Sequence, residues 1–249
     1  MLKEYSNLAA VIFGKTSIPF AQSLFEAGKY FSAIGDYKRA KESFEACLQI
    51  QQNKLGETNL AESNTYLELA QVNARLFPEK AKENEALYQK AGNIIDRAIG
   101  QQNALFADYQ QQAADFYIST QKYDQASALL SKANSFWESA LGTRNIHSAD
   151  IAMMFGRIAY SKSTYSEAEV QYSKAKSLYE SIYLQQTTSF HFLGHSQTGE
   201  STLYAERQGE MYFDDEPVYA QLFELCTRLF SIAQFQGKNK VLAGHEGRV

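Results

Sequence analysis

The chain contains few of the residues that break helices. Its 249 residues include 3 prolines and 14 glycines, whereas an all-β fold needs closely spaced turn signals. Long stretches are filled instead by Ala, Gln, Glu, Lys and Leu, which favour helix. Hydrophobic residues make up 45% and charged residues 21%, which is too apolar for a disordered chain. The composition therefore predicts an ordered, all-α protein.

Cysteine, clustered positive charge and long apolar runs are also scarce. The two cysteines, Cys47 and Cys226, lie far apart, which argues against a disulfide-stapled secreted scaffold and for a reduced compartment. A net charge of -4 and a pI near 5.7, without a cluster of Lys or Arg, argue against a nucleic-acid footprint. The apolar run at 8–14 is too short to span a bilayer. We therefore expect a cytoplasmic protein that binds neither nucleic acid nor a membrane.

The chain does contain an internal repeat. In each predicted first helix a small residue recurs at spacings of 42, 44 and 42 residues: Gly28, Ala70, Ala114 and Gly156. A second series, in each predicted second helix, has spacings of 44, 42 and 42: Cys47, Ala91, Ala133 and Ala175. Small side chains let helices approach to about 8–10 Å. The pattern predicts helical hairpins that stack on one another, because a single hairpin cannot bury its own apolar face.

Other positions keep the same period. A large side chain stands three residues before each member of the second series: Phe44, Tyr88, Leu130 and Tyr172. A tyrosine follows the turn of three hairpins: Tyr37, Tyr123 and Tyr165. In these hairpins an alanine comes three residues later, but Asn84 replaces it in the second repeat, where Pro78 marks an insertion. A Leu-Gly or Ile-Gly pair closes three second helices, since glycine enters the left-handed conformation without steric cost: Gly56, Gly100 and Gly142.

The turn Gly-x-Tyr-x-x-Ala, the small residues on both helices and the large residue before the second one resemble the tetratricopeptide repeat (TPR). The period of about 42 is similar to that of the kinesin-light-chain variety, and the resemblance covers roughly residues 18–184. It implies an α-solenoid, a right-handed superhelix of four antiparallel helix hairpins. Such arrays serve motors, signalling ATPases, peptide receptors and regulatory arms of proteases. The resemblance therefore implies protein binding without identifying the partner.

The segments outside the repeats are less regular. Residues 1–17 are predicted to form a lid helix, with Ser17 and Pro19 at the start of the next helix. Residues 185–200 are predicted to form a loop, 201–236 a degenerate fifth helix pair or cap, and 237–249 a tail. The last helix, from Glu216 to Gln236, has a broad apolar face. We expect it to fold against the fourth repeat, or to be covered by a downstream domain or by a second chain in a homodimer.

Patterns typical of catalysis or metal binding are weak. The chain has no phosphate-binding Gly-rich loop followed by Lys-Ser or Lys-Thr, and no His-Glu-x-x-His zinc helix. His191 and His195 have the spacing of two ligands, but Gly194 and the surrounding sequence indicate a polar loop without further ligands. Core packing and helix capping account for four further reactive side chains: Cys47, Cys226, Asp214 and Asp215. We therefore expect no enzyme activity, no metal and no cofactor.

The resemblance to TPR proteins points to their concave surface as the binding site. In that family the groove is lined by first-helix residues that point away from the second helix. Counting from the small residues carries this surface onto the following positions: Gln22, Phe25 and Lys29; Asn64, Leu67, Gln71 and Arg75; Asp108, Gln111, Gln112 and Asp115; and Asp150, Met153, Arg157 and Tyr160. Amides there can bond a peptide backbone, and apolar side chains offer anchors. The alternative is that these residues are merely solvated helix faces.

Three functions remain open at this stage. The first is a scaffold or regulatory module that binds a peptide or helix in the groove. The second is the sensor arm of a larger protease, ATPase or kinase whose catalytic part is absent from this chain. The third is a structural protein that self-associates. The Lys and Asn pattern by which chaperone adaptors of the family clamp a C-terminal carboxylate is not matched, and the aspartates of the predicted groove would repel such a tail.

Overall fold

The computed structural model describes residues 2–56 and 59–193, together with Arg228 and Ile232. All regular structure in these residues is helical, which confirms the all-α fold class. The chain divides between Phe136 and Trp137 into two compact units, called unit 1 (residues 1–136) and unit 2 (137–249).

Unit 1 is a series of antiparallel helices. They are α1 (Leu2–Phe13), α2 (Ile18–Ala33), α3 (Tyr37–Leu55), α4 (Leu60–Leu76), α5 (Ala81–Ile99), α6 (Ala104–Ser119) and the part of α7 (Tyr123–Leu141) that precedes the boundary. From α1 to α6, each helix contacts the next along the chain. In addition, α2 contacts α4, and α4 contacts α6. These contacts between the first helices of successive hairpins are what hairpin stacking requires.

The first helices begin at equivalent capping residues. Ser17 caps α2 and accepts a hydrogen bond from the backbone N–H of Phe20. The caps of α4, α6 and α8 (Ile146–Ser161) are Asn59, Asn103 and Asn145, each with a side-chain oxygen that accepts a hydrogen bond from a backbone N–H of the first turn. Such caps satisfy donors that have no partner within the helix. Pro78 lies in a short 3-10 helix, Pro78–Lys80, at the predicted insertion between α4 and α5.

Small residues allow the close approaches that the repeat predicted. A Cβ built on Gly28 would lie 2.6 Å from the ring of Phe44, which is completely buried on α3. Between the next hairpins, the rings of Tyr88 and Phe116 lie 5.0 Å apart beside the buried Ala70. Each aromatic ring thus fills the space that a small neighbour leaves open.

The turns of the first, third and fourth hairpins each place one residue in the left-handed region. Gly35 has a φ of 78°, and the equivalent Gln121 and Ser163 both have a φ of 61°. Glycine adopts this conformation without steric cost, whereas Gln and Ser do not. The chain therefore tolerates strain at this position in the third and fourth hairpins.

Unit 2 contains the last residues of α7, then α8 (Ile146–Ser161) and α9 (Tyr165–Leu193). Its core repeats the arrangement of unit 1, because a Cβ on Gly156 would lie 2.5 Å from the ring of Tyr172. Ile232 is completely buried in this core. The guanidinium of Arg228 lies 5.9 Å from the centre of the Tyr172 ring. Two residues of the predicted last helix therefore pack on the fourth hairpin.

The loop predicted over 185–200 is wrong for its first half. Helix α9 continues to Leu193, because no Gly or Pro interrupts the chain before Gly194. The rest of that loop, most of the predicted fifth pair and the predicted tail lie outside the described residues.

The predicted lid helix corresponds to α1, which contacts α2. Ala9 is buried, but apolar side chains of its second half are exposed: Leu8, Val11, Ile12 and Phe13. Within the described part of the chain, no helix combines the length and apolarity needed to cross a membrane.

Candidate protein-binding groove

The contacts of α4 with α2 and α6 bring three first helices side by side in unit 1. On their outer faces lie the residues at three equivalent positions of each repeat, counted from the small residue. Polar side chains occupy all of these positions: Gln22, Glu26 and Lys29 on α2; Asn64, Glu68 and Gln71 on α4; Asp108, Gln112 and Asp115 on α6. We call these nine residues the groove face. Successive positions are separated by four and three residues, which keeps them on one side of a helix.

Amide side chains connect neighbouring repeats across this face. The Nε2 of Gln71 donates a hydrogen bond to Oε1 of Gln112, at 2.9 Å. The two residues belong to α4 and α6, and the bond is exposed to solvent. An exposed amide pair keeps further donors and acceptors for a ligand. Both glutamines were predicted groove residues, and the structure brings them together.

The remaining predicted polar residues of unit 1 reach the surface to different extents. Lys29, Asn64, Arg75 and Asp115 are exposed, whereas Asp108 and Gln111 are half-buried. Arg75 extends the face toward the end of α4. Gln111, one residue before Gln112, lies beside the face.

Both apolar anchors predicted for unit 1 turn inward. Leu67 is 4% exposed and belongs to the core around Ala70, so its assignment as a ligand anchor is wrong. Phe25 is half-buried, and its ring packs edge-on against Phe44 with 5.6 Å between ring centres. Each residue lies one position before a groove-face glutamate. A rotation of about 100° per residue is enough to turn a side chain from groove to core.

Sequence reasoning missed the two glutamates, Glu26 and Glu68. Glu26 accepts a hydrogen bond from Gln22 at 3.0 Å, and its carboxylate lies 3.7 Å from the ammonium of Lys29. Burial raises the pKa of Glu68; the charge of Lys29 counteracts this, and that of Glu26 adds to it. The two glutamates stand two residues before Gly28 and Ala70, at the same position of successive repeats. That recurrence marks the two glutamates as equivalent positions in the sequence, but the preceding Phe25 and Leu67 recur in the same way, so it does not show which pair faces the groove.

The carboxylates of Glu68 on α4 and Asp115 on α6 both act electrostatically on Tyr88. Burial raises the pKa of the Tyr88 hydroxyl, and the charges of Asp115 and Glu68 raise it further. Both carboxylates therefore lie within electrostatic reach of one buried hydroxyl between the two repeats.

In unit 2 the predicted groove residues are engaged by their own hairpin. The hydroxyl of Tyr179 donates a hydrogen bond to Asp150, and burial raises the pKa of Asp150. Met153 and Tyr160 are half-buried and pack against the core of this unit. Arg157 is half-buried as well. These four residues therefore present less free surface than the groove face of unit 1.

Among the described residues, the other reactive side chains do not form a metal site or an activated nucleophile. Cys47 is completely buried, and burial raises the pKa of its thiol to about 11, so the nucleophilic thiolate is disfavoured at neutral pH. Within the described part of the chain, no group of three or more His, Cys, Asp or Glu residues is arranged to hold a metal ion. Four residues considered above lie outside that part: His195, Asp214, Asp215 and Cys226.

Neither a protein-family model nor a curated protein matches the chain. Among solved structures, BtubC from P. vanneervenii is 14% identical, with a TM-score of 0.58 over 100% of this chain and 89% of that chain. A Podosopora anserina protein, described as a kinesin light chain with nearly identical TPR-like repeats, matches in two structures. One is 15% identical with a TM-score of 0.60, covering 73% of this chain and 85% of that chain. The other is 16% identical with a TM-score of 0.51, covering 88% of this chain and 95% of that chain.

At sequence identities of 14%, 15% and 16%, these structural similarities show the fold alone. It agrees with the period of about 42 residues, the capped first helices and the paired small and aromatic residues on which the sequence resemblance rested. The chain is therefore a TPR-like helical repeat protein, similar in fold to kinesin-light-chain repeats.

Proposed function

We propose that unit 1 is a protein-binding module that holds a segment of a partner protein on its groove face. The observation that carries this proposal is the exposed amide bond between Gln71 and Gln112, which joins two repeats and leaves donors and acceptors at the surface. Three packed helices hold these side chains at fixed spacing. A rigid surface of this kind costs little ordering on binding, since only the ligand loses freedom. A scaffold and a regulatory arm of an enzyme would use the face in the same way.

Photo-crosslinking tests this proposal. A photoreactive amino acid is placed at Gln71 or, as a control, at the exposed Gln49 of α3. In extract of cells that naturally contain the protein, we expect a discrete crosslinked protein from the Gln71 variant alone. A second variant carries Gln112→Ala in addition to the photoreactive residue at position 71 and should lose most of that product, because the remaining side chain of the amide pair is then gone as well. Identical products from Gln71 and Gln49 would contradict the proposal.

Self-association through the helix from Glu216 to Gln236 has less support. Ile232 of that segment is completely buried in the core of unit 2. The side chain of Ile232 is therefore not available to a second copy. We therefore propose that this segment caps the fourth hairpin. Light scattering should give the mass of a monomer at micromolar concentration, and a stable dimer would contradict this assignment.

A further inference from the structure

The groove face lacks the apolar anchors that a bound helix requires. A docked amphipathic helix buries apolar residues at successive turns in a hydrophobic groove. In unit 1 the two candidates for such contacts, Phe25 and Leu67, pack inside the hairpins. All nine residues of the groove face are polar or charged. An extended segment suits this surface better, because its backbone groups are not consumed by a helix of its own and remain open to side-chain amides.

The groove face also has an excess of negative charge. It carries the carboxylates of Glu26, Glu68, Asp108 and Asp115 against one cation, Lys29, with Arg75 beyond its edge. This negative charge would repel an acidic ligand and attract a basic one.

Glu68 is the residue whose charge gains most from a basic ligand. It is half-buried at the centre of the three helices, and Lys29 is the cation that acts on it, while Glu26 opposes. A carboxylate that has lost part of its hydration gains more from a new cation than an exposed one does, because the local dielectric is lower.

The geometry of stacked hairpins sets the spacing between the two glutamates. Glu26 and Glu68 occupy the same position on neighbouring first helices, and packed helix axes lie about 8–10 Å apart. An extended polyproline-II segment rises about 3.1 Å per residue and returns to the same side every three residues, about 9 Å along the chain. Two cationic residues three positions apart would therefore reach both carboxylates.

We infer that the partner segment, if unit 1 binds one as proposed above, is extended and basic. Two Lys or Arg residues at positions i and i+3 pair with Glu26 and Glu68, and the amides of Gln71 and Gln112 bind its backbone. This inference rests on the proposed function and adds the class of ligand to it.

The test uses the full chain and labelled peptides of about nine residues in a Ser- and Pro-rich background. One peptide has Lys at i and i+3, a second has Glu at both positions, and a third is an amphipathic helix of equal length. Fluorescence anisotropy measures binding at about 50 mM and about 200 mM salt. We expect the Lys peptide to bind about tenfold or more tightly than the other two and to weaken as salt rises.

Two double variants assign the charge effect to the groove face. Glu26→Gln with Glu68→Gln should weaken binding of the Lys peptide about tenfold and flatten its salt dependence. The control, Glu42→Gln with Glu79→Gln, removes two exposed carboxylates outside the groove face and should leave binding within about twofold, since distant exposed charges are screened. Circular dichroism checks that both variants remain helical.

The outcomes separate this inference from the proposed function. Equal loss in both double variants, or no binding of the Lys peptide, would overturn the basic-ligand inference. Tighter binding of the Glu peptide or the amphipathic helix would overturn it too. If that tighter binding is lost in Gln71→Ala with Gln112→Ala, the groove face is still the binding site and only the proposed class of ligand is wrong. If crosslinking from Gln71 also fails, the proposed function falls with it.

Discussion

Units 1 and 2 share one interior design but differ on their first-helix faces. Gly28 lies against the ring of Phe44 in unit 1, as Gly156 lies against the ring of Tyr172 in unit 2. Two residues before these glycines, unit 1 has the half-buried Glu26, whereas unit 2 has Met154, which is 8% exposed. Stacking therefore dictates the residues between helices and leaves the outer faces free to diverge. On the proposed function, binding specificity therefore comes from those faces.

The largest expected effect tests the shared interior. Gly28→Ala and Gly156→Ala should each lower the free energy of unfolding by about 1–3 kcal/mol, because a methyl group would overlap a completely buried ring. Urea unfolding measures both. Gly92→Ala is a milder control, since the side chain it would meet, Tyr109, is only half-buried and its end can swing away. A negligible cost at either Gly28 or Gly156 would show that the two interiors differ.

Asn84 is an exception inside unit 1, where alanine stands at the equivalent position of the other hairpins, as Ala40 and Ala126. It is 2% exposed, its Nδ2 has no hydrogen-bond partner among the residues that the structure describes, and its equivalent Ala40 is completely buried. Asn84→Ala should raise the free energy of unfolding by about 1 kcal/mol, because an unsatisfied buried donor is removed. The reverse change, Ala40→Asn, should destabilise the first hairpin. Thermal unfolding compares the two, and a loss of stability in Asn84→Ala would mean that its packing outweighs the missing bond.

The hairpin turns offer a matched pair across the units. Gln121 in unit 1 and Ser163 in unit 2 both have a φ of 61°. Replacing either by Gly should stabilise the chain by up to about 1 kcal/mol, since strain in the left-handed conformation is relieved. Gly35→Ala, at the equivalent turn, should instead destabilise the chain. Chemical unfolding measures the change in stability of the three variants. Changes of the same sign would refute the strain explanation.

The smallest effect concerns the charged face and depends on pH. The pKa of Glu68 is raised above its ordinary value of 4.5 by burial, so the folded state binds a proton more tightly than the unfolded state. Stability then falls as pH rises from about 4.5 through the folded pKa. Glu68→Gln should be more stable than the parent at pH 7, and this gain should vanish as pH falls below about 4.5.

Glu85→Gln is a control whose effect on stability at pH 7 should be opposite to that of Glu68→Gln. A hydrogen bond from the ammonium of Lys122, at 2.7 Å, lowers the pKa of Glu85. The stability that this pair contributes is present above pH 4.5 and is lost as pH falls through the lower folded pKa. Glu85→Gln should therefore destabilise the chain at pH 7 and have little effect in acid. Thermal unfolding between pH 3 and pH 7 separates the two glutamates, and parallel profiles would contradict their assigned environments.

The sequence by itself determined the repeat architecture, because its signals are local and recur. Small residues every 42 or 44 residues, glycine after three of the second helices and Ser17 at the start of the array each specify one close contact or one helix end. Four recurrences of such signals leave few alternatives to stacked hairpins.

Only the tertiary structure decided which of two adjacent residues faces the groove. Phe25 and Glu26, or Leu67 and Glu68, differ by one step of about 100° around the helix, and counting from a small residue does not resolve that step. The packing of each first helix against its neighbours fixes its rotation. Leu67 is thereby buried beside Ala70, and Glu68 is left half-buried among the charges of the groove face. Fold followed from local periodicity, whereas the proposed binding surface depended on contacts between residues far apart in the chain.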